Sequence, residues 1–379
     1  MPRRRGAAPH LALFFTRGLS LTTWSDVGAF DREVALYRRL QRSGVKISFI
    51  TYGGRNDLAL ARHIPEIEVR CNRWGLDPKL YERFLPWLHA KVFRRCDVLK
   101  TNQTDGADVA LSVAVRWRKP LIARCGYLWS DFRERERGRD SPEAARAREI
   151  EQRVFSAAAR VVVTTNAMAG DIERRFPEAS ARVRVIPNYV DTESFRPLEL
   201  GEPEVDLVFA GRFTPQKNLE SLIDAVRPLD ASLMIVGGGS KRVKWEREIG
   251  NLDGRLQWRG NVPNTEMPDL FARAKAFVLP SHFEGHPKTL IEAMASGLPV
   301  IGADSPGIRE VIRHGENGYL CGTRSEEIRE AIQVVLGDPA LRARLGGNAR
   351  RFAVEEFALE RVAPLELSLI DEVLRDEHQ

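Results

Sequence analysis

Residues 284–297 of this chain read EGHPKTLIEAMASG, and residues 211–218 read GRFTPQKN. The first stretch predicts a loop followed by a helix, because the proline near its start and the glycine at its end are typical of helix boundaries. Glu284 would precede this helix and Glu292 would lie in its second turn, roughly 12 Å away if eight residues were helical. The second stretch predicts a strand end, a turn with two basic side chains, and the start of another helix.

Around these two stretches, short apolar runs alternate with helix-like segments along the whole chain. This alternation predicts an α/β fold with parallel sheets covered by helices on both faces. Helices are predicted at 27–42, at 167–176 with Asn166 as the N-cap, and at 358–376. Residues 187–204 are rich in Pro, Asp and Glu and predict a linker between two doubly wound domains. The predicted strands are Leu11–Phe15, Val45–Ile50, Asp97–Lys100, Pro120–Ala123, Val161–Thr164, Val183–Ile186, Asp206–Ala210, Ser232–Val236, Leu256–Trp258, Ala276–Leu279 and Val300–Ile301.

The composition is that of a globular protein: 379 residues, of which 43% are apolar, enough for two or three domains. The four cysteines show no close pairing, so reduced thiols are favoured over a disulfide framework or a zinc site. The longest apolar run is too short to span a membrane, and the run behind the basic start is too short for a signal peptide. We therefore expect a cytoplasmic protein.

Charge is divided unequally along the chain. Residues 1–200 contain 36 Lys and Arg against 24 Asp and Glu, whereas the remainder contains 22 against 28. The basic half indicates an anionic partner such as a membrane surface, a lipid phosphate or an acidic glycan, although solvated arginines explain the count equally well. Nucleic acid is not expected, because no binding motif is present. Contact with an anionic membrane would place the protein peripherally at the inner membrane face.

Glycines follow several predicted strands of the second half. In doubly wound sheets, ligands bind at the carboxyl ends of the strands, and a glycine there lets the backbone approach a ligand closely. Turns also require glycine, so a single one decides little. We interpret the set as part of a ligand site because it occurs at three strand ends: Gly211, Gly237, Gly238 and Gly285.

Arg212 and Lys217 lie in the turn behind one of these strands. Cations at this place would stabilise a diphosphate leaving group, whose charge grows as a glycosidic bond breaks. Arg offers a bidentate fork and Lys a point charge, and the adjacent helix N-terminus also attracts anions. The alternative is two surface cations in a loop. No Asp-x-Asp pair is present, so we expect these cations to replace a divalent ion and expect no metal or other cofactor.

The two carboxylates suit a ligand of the same kind. One can accept hydrogen bonds from the hydroxyls of a sugar and the other from those of a ribose, so that a nucleotide sugar is the predicted donor. A hydrolytic acid and nucleophile would have to lie about 5–9 Å apart across one bond, and an exposed helix charge would explain Glu292 alone. His286 and Lys288 lie in the same stretch, where a lone histidine is more often solvated or structural.

The second half resembles the retaining glycosyltransferases of family 4, the glycosyl transferases group 1. The resemblance rests on GRFTPQKN, LMIVGGGS, QWRGNVPNTEMPDLFARAKAFVLPS, EGHPKTLIEAMASGLPVIG and DSPGIREVIRHGENGYL, and on IPNYVDTESFRP as the interdomain signature. It implies the GT-B fold, in which two Rossmann-like doubly wound domains face each other across a cleft. The implied parts are an acceptor-binding domain at 1–190, a linker at 191–204, a nucleotide-sugar-binding domain at 205–357, and a last helix at 358–379 crossing back to the first domain.

The resemblance also implies roles for individual residues. Arg212 and Lys217 would bind the donor diphosphate, Glu284 the donor sugar and Glu292 the ribose, with the acceptor attacking from the front face and the departing phosphate taking its proton. The implied catalytic residues are thus Arg212, Lys217 and Glu284. The implied donor-binding residues are Gly211, Gly237, Gly238, Gly260, Val262, Gly285, His286, Lys288, Thr289 and Glu292.

The chain departs from the family at three places. His286-Pro287 replaces the usual Phe-Gly, and the stretch IARCGYLWSD lacks the histidine that the family often has near the reacting centre. In that stretch Arg124, Tyr127 and Asp131 are the polar acceptor-site candidates. The early loop TRGLSLTTWSDVG replaces a more glycine-dense turn and adds Gly18 and Trp24 as acceptor-site candidates.

The expected function is transfer of a sugar from a nucleotide sugar to a glycan or lipid-linked acceptor, in the synthesis of a cell-surface polysaccharide, lipopolysaccharide or glycolipid. Two alternatives stay open. A nucleotide-sugar 2-epimerase would use the same donor site without an acceptor, and a non-catalytic partner would bind the nucleotide sugar only.

Overall fold

The computed structural model describes residues 8–239 and 242–376. It contains a seven-stranded and a six-stranded sheet, and every strand pair in both is parallel. Parallel strands need crossover connections, and helices along the chain supply them. The prediction of two doubly wound α/β domains is confirmed.

The first sheet has the strand order β3-β2-β1-β4-β5-β6-β7. Its central strands are uninterrupted apolar runs because both faces are covered, as in Leu11–Phe14, where every residue is buried. The strands are β1 His10–Phe14, β2 Lys46–Ile50, β3 Glu68–Arg70, β4 Val98–Thr101, β5 Leu121–Cys125, β6 Arg160–Val163 and β7 Val183–Val185.

The second sheet has the order β10-β9-β8-β11-β12-β13. Its strand order reverses between β8 and β11, and such a switch point is where ligands bind in open α/β sheets. The strands are β8 Val205–Ala210, β9 Leu233–Val236, β10 Leu256–Arg259, β11 Ala274–Leu279, β12 Val300–Ala303 and β13 Tyr319–Cys321.

Helices connect these strands and cover both sheets. In chain order they are α1 Leu21–Asp26, α2 Phe30–Arg42, α3 Arg55–Leu60, α4 Pro78–Leu88, α5 Ala90–Arg95, α6 Ala107–Trp117, α7 Trp129–Arg137, α8 Pro142–Ala157, α9 Asn166–Arg175, α10 Leu219–Val226, α11 Arg242–Ile249, α12 Met267–Ala272, α13 Lys288–Ala295, α14 Ser325–Gly337, α15 Pro339–Phe357 and α16 Leu359–Asp376. Within the described ranges, each helix is either too short or too polar to span a bilayer.

The chain forms two compact units. The first contains residues up to Ser25, residues 33–187 and residues from Ala363 onward, and the second contains residues 26–32 and 188–362. The second unit has one large apolar core around β8, β9, β11 and β12. In the first unit, buried side chains form separate clusters against the sheet, one including Phe14 and Phe93 and another Val161 and Phe155.

Three local predictions need correction. The helix predicted at 27–42 begins at Phe30, because Gly28 has a φ of +72° that a helix cannot contain. The N-cap of α9 is Thr165, whose hydroxyl accepts from Met168 N at 3.2 Å, and not Asn166. The strands β3 and β13 were not predicted at all. Each has three residues and lies at the edge of its sheet, where the apolar signal is weak.

Candidate active site

The candidate site lies in the second unit, at the carboxyl ends of β8 and β11. Gly211 directly follows β8, and Glu284 lies in the loop that follows β11. These two strands are neighbours at the switch point of the sheet. Two segments that are distant in sequence therefore meet at the edge where this kind of sheet binds ligands.

Lys217 and Glu284 form an ion pair at this edge. The Nζ atom of Lys217 donates to Oε1 of Glu284 at 2.6 Å, and the two side chains are only 12% and 8% exposed. Gly211 lies beneath the lysine, since a Cβ on that glycine would come within 3.4 Å of Lys217 Cε. Gln216 secures the loop of Glu284, because its side-chain Nε2 donates to Phe283 O at 2.7 Å and its backbone carbonyl accepts from His282 N at 2.9 Å.

The glycines at the ends of β8 and β9 are required by backbone packing. Gly237 has a φ of +127°, and a Cβ there would lie 2.1 Å from Gly211 O. Gly238 O accepts from Phe213 N at 2.8 Å, and Gly237 N donates to Gly260 O at 3.0 Å. Close approach between strand ends thus explains these residues, and it fixes the path of the loop that presents Arg212.

Arg212 is an exposed cation in the same turn as Lys217. Its side chain makes no hydrogen bond and no ion pair with the side chains and backbone that the structure describes. Its backbone carbonyl accepts from Thr214 N at 2.9 Å, which closes the turn. The guanidinium is therefore available for an anion.

Glu292 is buried in the second turn of α13, with a relative exposure of 1%. Its Oε1 atom accepts from Asn264 Nδ2 at 3.0 Å and from a guanidinium nitrogen of Arg32 at 3.3 Å. Its Oε2 atom is buried and has no hydrogen-bond donor among the described residues. An unpaired buried acceptor is costly, so this oxygen is poised to accept from a bound group.

Residues 26–32, which belong to the second unit, place Arg32 on Glu292. Asn264 N donates to Gly28 O at 2.7 Å, and Tyr189 Oη donates to Arg32 O at 2.5 Å. A Cβ on Gly28 would lie only 1.8 Å from Val262 O, so this contact accepts no other residue without displacement. Val262, one of the implied donor-binding residues, is therefore in contact with Gly28.

The remaining residues of the EGHPKTLIEAMASG stretch divide into two groups. The buried ring of His286 accepts from Asn188 N at 3.1 Å through Nδ1 and lies edge-on against Phe357, so the histidine packs this loop. Lys288 and Thr289 are half-buried in the first turn of α13. Pro287, at the N-cap, provides no side-chain cap, so the first amides of this helix can bind an anion.

Gly285 lies against Gly307, which has a φ of +84°. A Cβ on Gly307 would lie 2.4 Å from Glu284 O and 2.7 Å from Gly285 O. Glu284 N also donates to Pro306 O at 2.8 Å. This close packing fixes the backbone from which the Glu284 side chain extends.

The acceptor-site candidates of the first unit occupy different environments. Trp24 is 4% exposed and stacks on Phe15, with ring centroids 4.1 Å apart, so it is a core residue. Asp131 is ion-paired with Arg175 at 2.7 Å, and Arg124 lies 3.8 Å from the buried carboxylate of Glu366. Gly18 is exposed in the loop after β1, and the Tyr127 ring packs on Phe132.

Four residues that support the site were not predicted: Arg32, Gln216, Asn218 and Asn264. Asn218 has a left-handed backbone, with φ +53°, and its amide bridges Pro280 O and Thr323 O at 3.2 and 2.7 Å. An asparagine before a helix is a signal that the sequence offers, because Asn tolerates this conformation. Arg32 offers no such signal, since its partner is 260 residues away.

Comparisons with known proteins agree with this architecture. Residues 190–352 match the family model "Glycosyl transferases group 1", and residues 34–194 match "Glycosyltransferase Family 4". The D-inositol 3-phosphate glycosyltransferase of Jonesia denitrificans is 32% identical over 300 residues, which cover 70% of this chain and 69% of that protein.

Two solved structures are similar in fold. The sucrose-phosphate synthase of Thermosynechococcus elongatus has a TM-score of 0.82 and 21% identity, covering 97% of this chain and 100% of that one. HepE of Anabaena, solved with UDP-glucose, has a TM-score of 0.75 and 20% identity, covering 97% and 99%. With the family models spanning both units and a relative above 30% identity, the chain belongs to family 4 of the glycosyltransferases, the glycosyl transferases group 1, and is a glycosyltransferase with the GT-B fold.

Proposed function

We propose that this enzyme is a retaining, metal-independent glycosyltransferase that moves a sugar from a nucleotide-sugar donor to a glycan or lipid-linked acceptor, in the synthesis of a cell-surface polysaccharide or glycolipid. The observation that carries the donor assignment is the buried Oε2 atom of Glu292, which has no donor among the described residues although Oε1 has two. A ribose hydroxyl would supply the missing hydrogen bond.

The charges of the site suit a diphosphate leaving group. Arg212 and Lys217 contribute two positive charges, and Glu284 removes one through its ion pair with Lys217. The uncapped first turn of α13 adds further partial positive charge. As the bond from the sugar C1 to the phosphate oxygen breaks, these groups would stabilise the growing negative charge, and the departing phosphate would take the proton of the acceptor hydroxyl. This assignment gives no role to a metal ion.

Named ligands of similar proteins indicate which probes to use. HepE was solved with UDP and with UDP-glucose, so uridine nucleotides come first. The relative from Jonesia denitrificans is named for D-inositol 3-phosphate, which is anionic. An anionic acceptor, whether a phosphorylated polyol or a lipid phosphate, would suit the basic first half of this chain.

A thermal-shift screen against UDP, GDP, ADP and CMP sugars in EDTA tests the donor site. A ligand that binds the native state raises the melting temperature. At a ligand concentration of 100 times Kd, the free energy of unfolding increases by about 2.7 kcal/mol. We expect one base to stabilise the protein, and we expect Lys217→Ala to reduce that shift. Stabilisation by no nucleotide, or only when a divalent ion replaces EDTA, would contradict the proposal. Conversion of the donor to an isomer without acceptor would indicate an epimerase instead.

Gly28→Ala should weaken donor binding, although Gly28 is not one of the residues proposed to bind the diphosphate. The new Cβ would meet Val262 O at 1.8 Å, and the φ of +72° disfavours alanine, so residues 26–32 must move. Displacement of Arg32 releases one of the two donors that orient Glu292. We expect the donor KM to rise about tenfold, which corresponds to roughly 1.4 kcal/mol, with a smaller change in kcat.

Gly44→Ala is the matched control, since Gly44 has a φ of +91° and no atom within 4 Å of the position of a Cβ. The Gly44→Ala substitution also places alanine at a positive φ, but its new Cβ meets no neighbouring atom. Equal donor KM values in the two variants would show that residues 26–32 do not act through Glu292.

A further inference from the structure

Helix α4 exposes a narrow apolar stripe. Leu80, Phe84 and Trp87 are 48%, 45% and 55% exposed. Their spacing of four and three residues places them on one face of the helix. The rings of Phe84 and Trp87 lie edge to face, with centroids 6.5 Å apart, so two of the three form one continuous surface. Exposed apolar side chains that are grouped in this way indicate an interaction site.

The neighbouring face of α4 fixes the helix to the first unit. Tyr81 and Leu85 are 1% and 0% exposed, and Tyr81 Oη donates to Thr51 O at 3.0 Å. The helix begins with Asp77 as its N-cap, which accepts from Lys79 N at 2.9 Å. Because the inner face is already buried, the stripe does not belong to the core, and it is presented on a rigid element.

Basic side chains surround the stripe. Lys79 and Arg83 are exposed on the same helix. From α6, the guanidinium of Arg116 lies 6.0 Å from the Trp87 ring. Just before the helix, Trp74 is 42% exposed, and the guanidinium of Arg73 lies 4.8 Å from its ring. Of the acidic residues on α4 and its N-cap, Asp77 caps the helix and Glu82 is ion-paired with Arg17.

We infer that the α4 stripe is a membrane-docking surface for anionic lipid. Tryptophan, phenylalanine and leucine side chains fit the boundary between headgroups and acyl chains, and flanking Lys and Arg pair with anionic headgroups while their stems lie along the apolar surface. The combination of exposed aromatic side chains with flanking Lys and Arg is the pattern of a surface that binds anionic lipid. The inference deepens the proposal of a lipid-linked acceptor, but it stands on α4 and does not depend on sugar transfer.

Cosedimentation with vesicles tests the surface directly. The full chain, without donor or acceptor, is mixed with phosphatidylglycerol-rich vesicles or with phosphatidylcholine alone. We expect binding to the anionic vesicles at low salt and weaker binding at high salt, since salt screens the basic contribution. The double substitution Phe84→Ser and Trp87→Ser should reduce the binding constant about tenfold or more, and Lys79→Gln with Arg83→Gln should reduce its salt dependence.

Val334→Ser is the matched control, because Val334 is a 44% exposed apolar side chain on α14 of the second unit and is not part of the stripe. It should bind vesicles like the wild type. All variants should keep the melting temperature and the nucleotide-induced shift of the wild type, which separates this test from that of the donor site. Vesicle binding that the stripe substitutions leave unchanged, or no binding at low salt, would overturn the inference. So would light scattering that shows a dimer of this chain dissociated by the same substitutions.

Discussion

Lys217→Ala should lower kcat for sugar transfer by about 10²–10³, or roughly 3–4 kcal/mol of transition-state stabilisation. Lys217 is the cation that the fold holds over Gly211, and its side chain is only 12% exposed, so water cannot replace its charge effectively. A group that stabilises charge developing on the leaving diphosphate acts more on the transition state than on the ground state. The measurement is steady-state transfer with the donor identified by the thermal-shift screen, varied to give kcat and KM separately.

Arg227→Ala provides the control for the loss of a positive charge in the same unit. Arg227 is 53% exposed and only distantly paired with Asp224, at 3.8 Å. Its removal should leave kcat unchanged. A rise in KM with an unaltered kcat in Lys217→Ala would mean that this lysine binds the donor uniformly and has no role in the chemical step.

Glu284→Gln should distinguish the role of Glu284 from that of Lys217, its partner in the ion pair. It removes the carboxylate that now neutralises Lys217, so free nucleoside diphosphate should bind more tightly. Transfer should nevertheless fall, because the proposed contact of Glu284 with the donor sugar is weakened. Weaker diphosphate binding in this variant would show that the glutamate itself organises the phosphate site.

The second large effect is expected for stability, from Lys100→Met. Lys100 on β4 is fully buried, and its Nζ atom donates to Glu366 Oε2 of α16 at 2.5 Å. Burial lowers the pKa of Lys100, and the carboxylate opposes that shift. Removing the lysine leaves Glu366 buried, with Arg124 at 3.8 Å as its remaining ion-pair contact among the described residues, so we expect a loss of about 3–5 kcal/mol.

Thermal unfolding measures this loss, and about 2–4 °C per kcal/mol is expected for a unit of this size. The double variant Lys100→Met with Glu366→Leu should regain much of the stability, because two apolar residues replace an ion pair whose charges were costly to bury. Lys275→Met is the exposed comparison. The Lys275 side chain is 41% exposed in its pair with Asp206, so that substitution should cost at most about 1 kcal/mol. Equal losses for Lys100→Met and Lys275→Met would contradict the argument.

The local sequence determined most of the second unit. Strands β8, β9 and β11 are apolar runs that end at glycine or proline, and α13 is delimited by Pro287 and Gly297. These elements can therefore be recognised without tertiary information. The two missed strands, β3 and β13, show the limit. With three residues at a sheet edge, each owes its strand conformation to pairing with a neighbour.

The sequence by itself determined that two parallel α/β sheets form and that Lys217 and Glu284 follow strands of one of them, because these features depend on periodicity and on chain order. Only the tertiary structure decided which atoms meet. It brings Arg32 to Glu292 across 260 positions and Glu366 to Lys100 across 266. It also places Trp24 in the core and Trp87 at the surface. Burial and long-range pairing are properties of the packed chain, and a local apolar pattern does not decide which individual apolar side chains, such as Trp24 and Trp87, the rest of the molecule will cover.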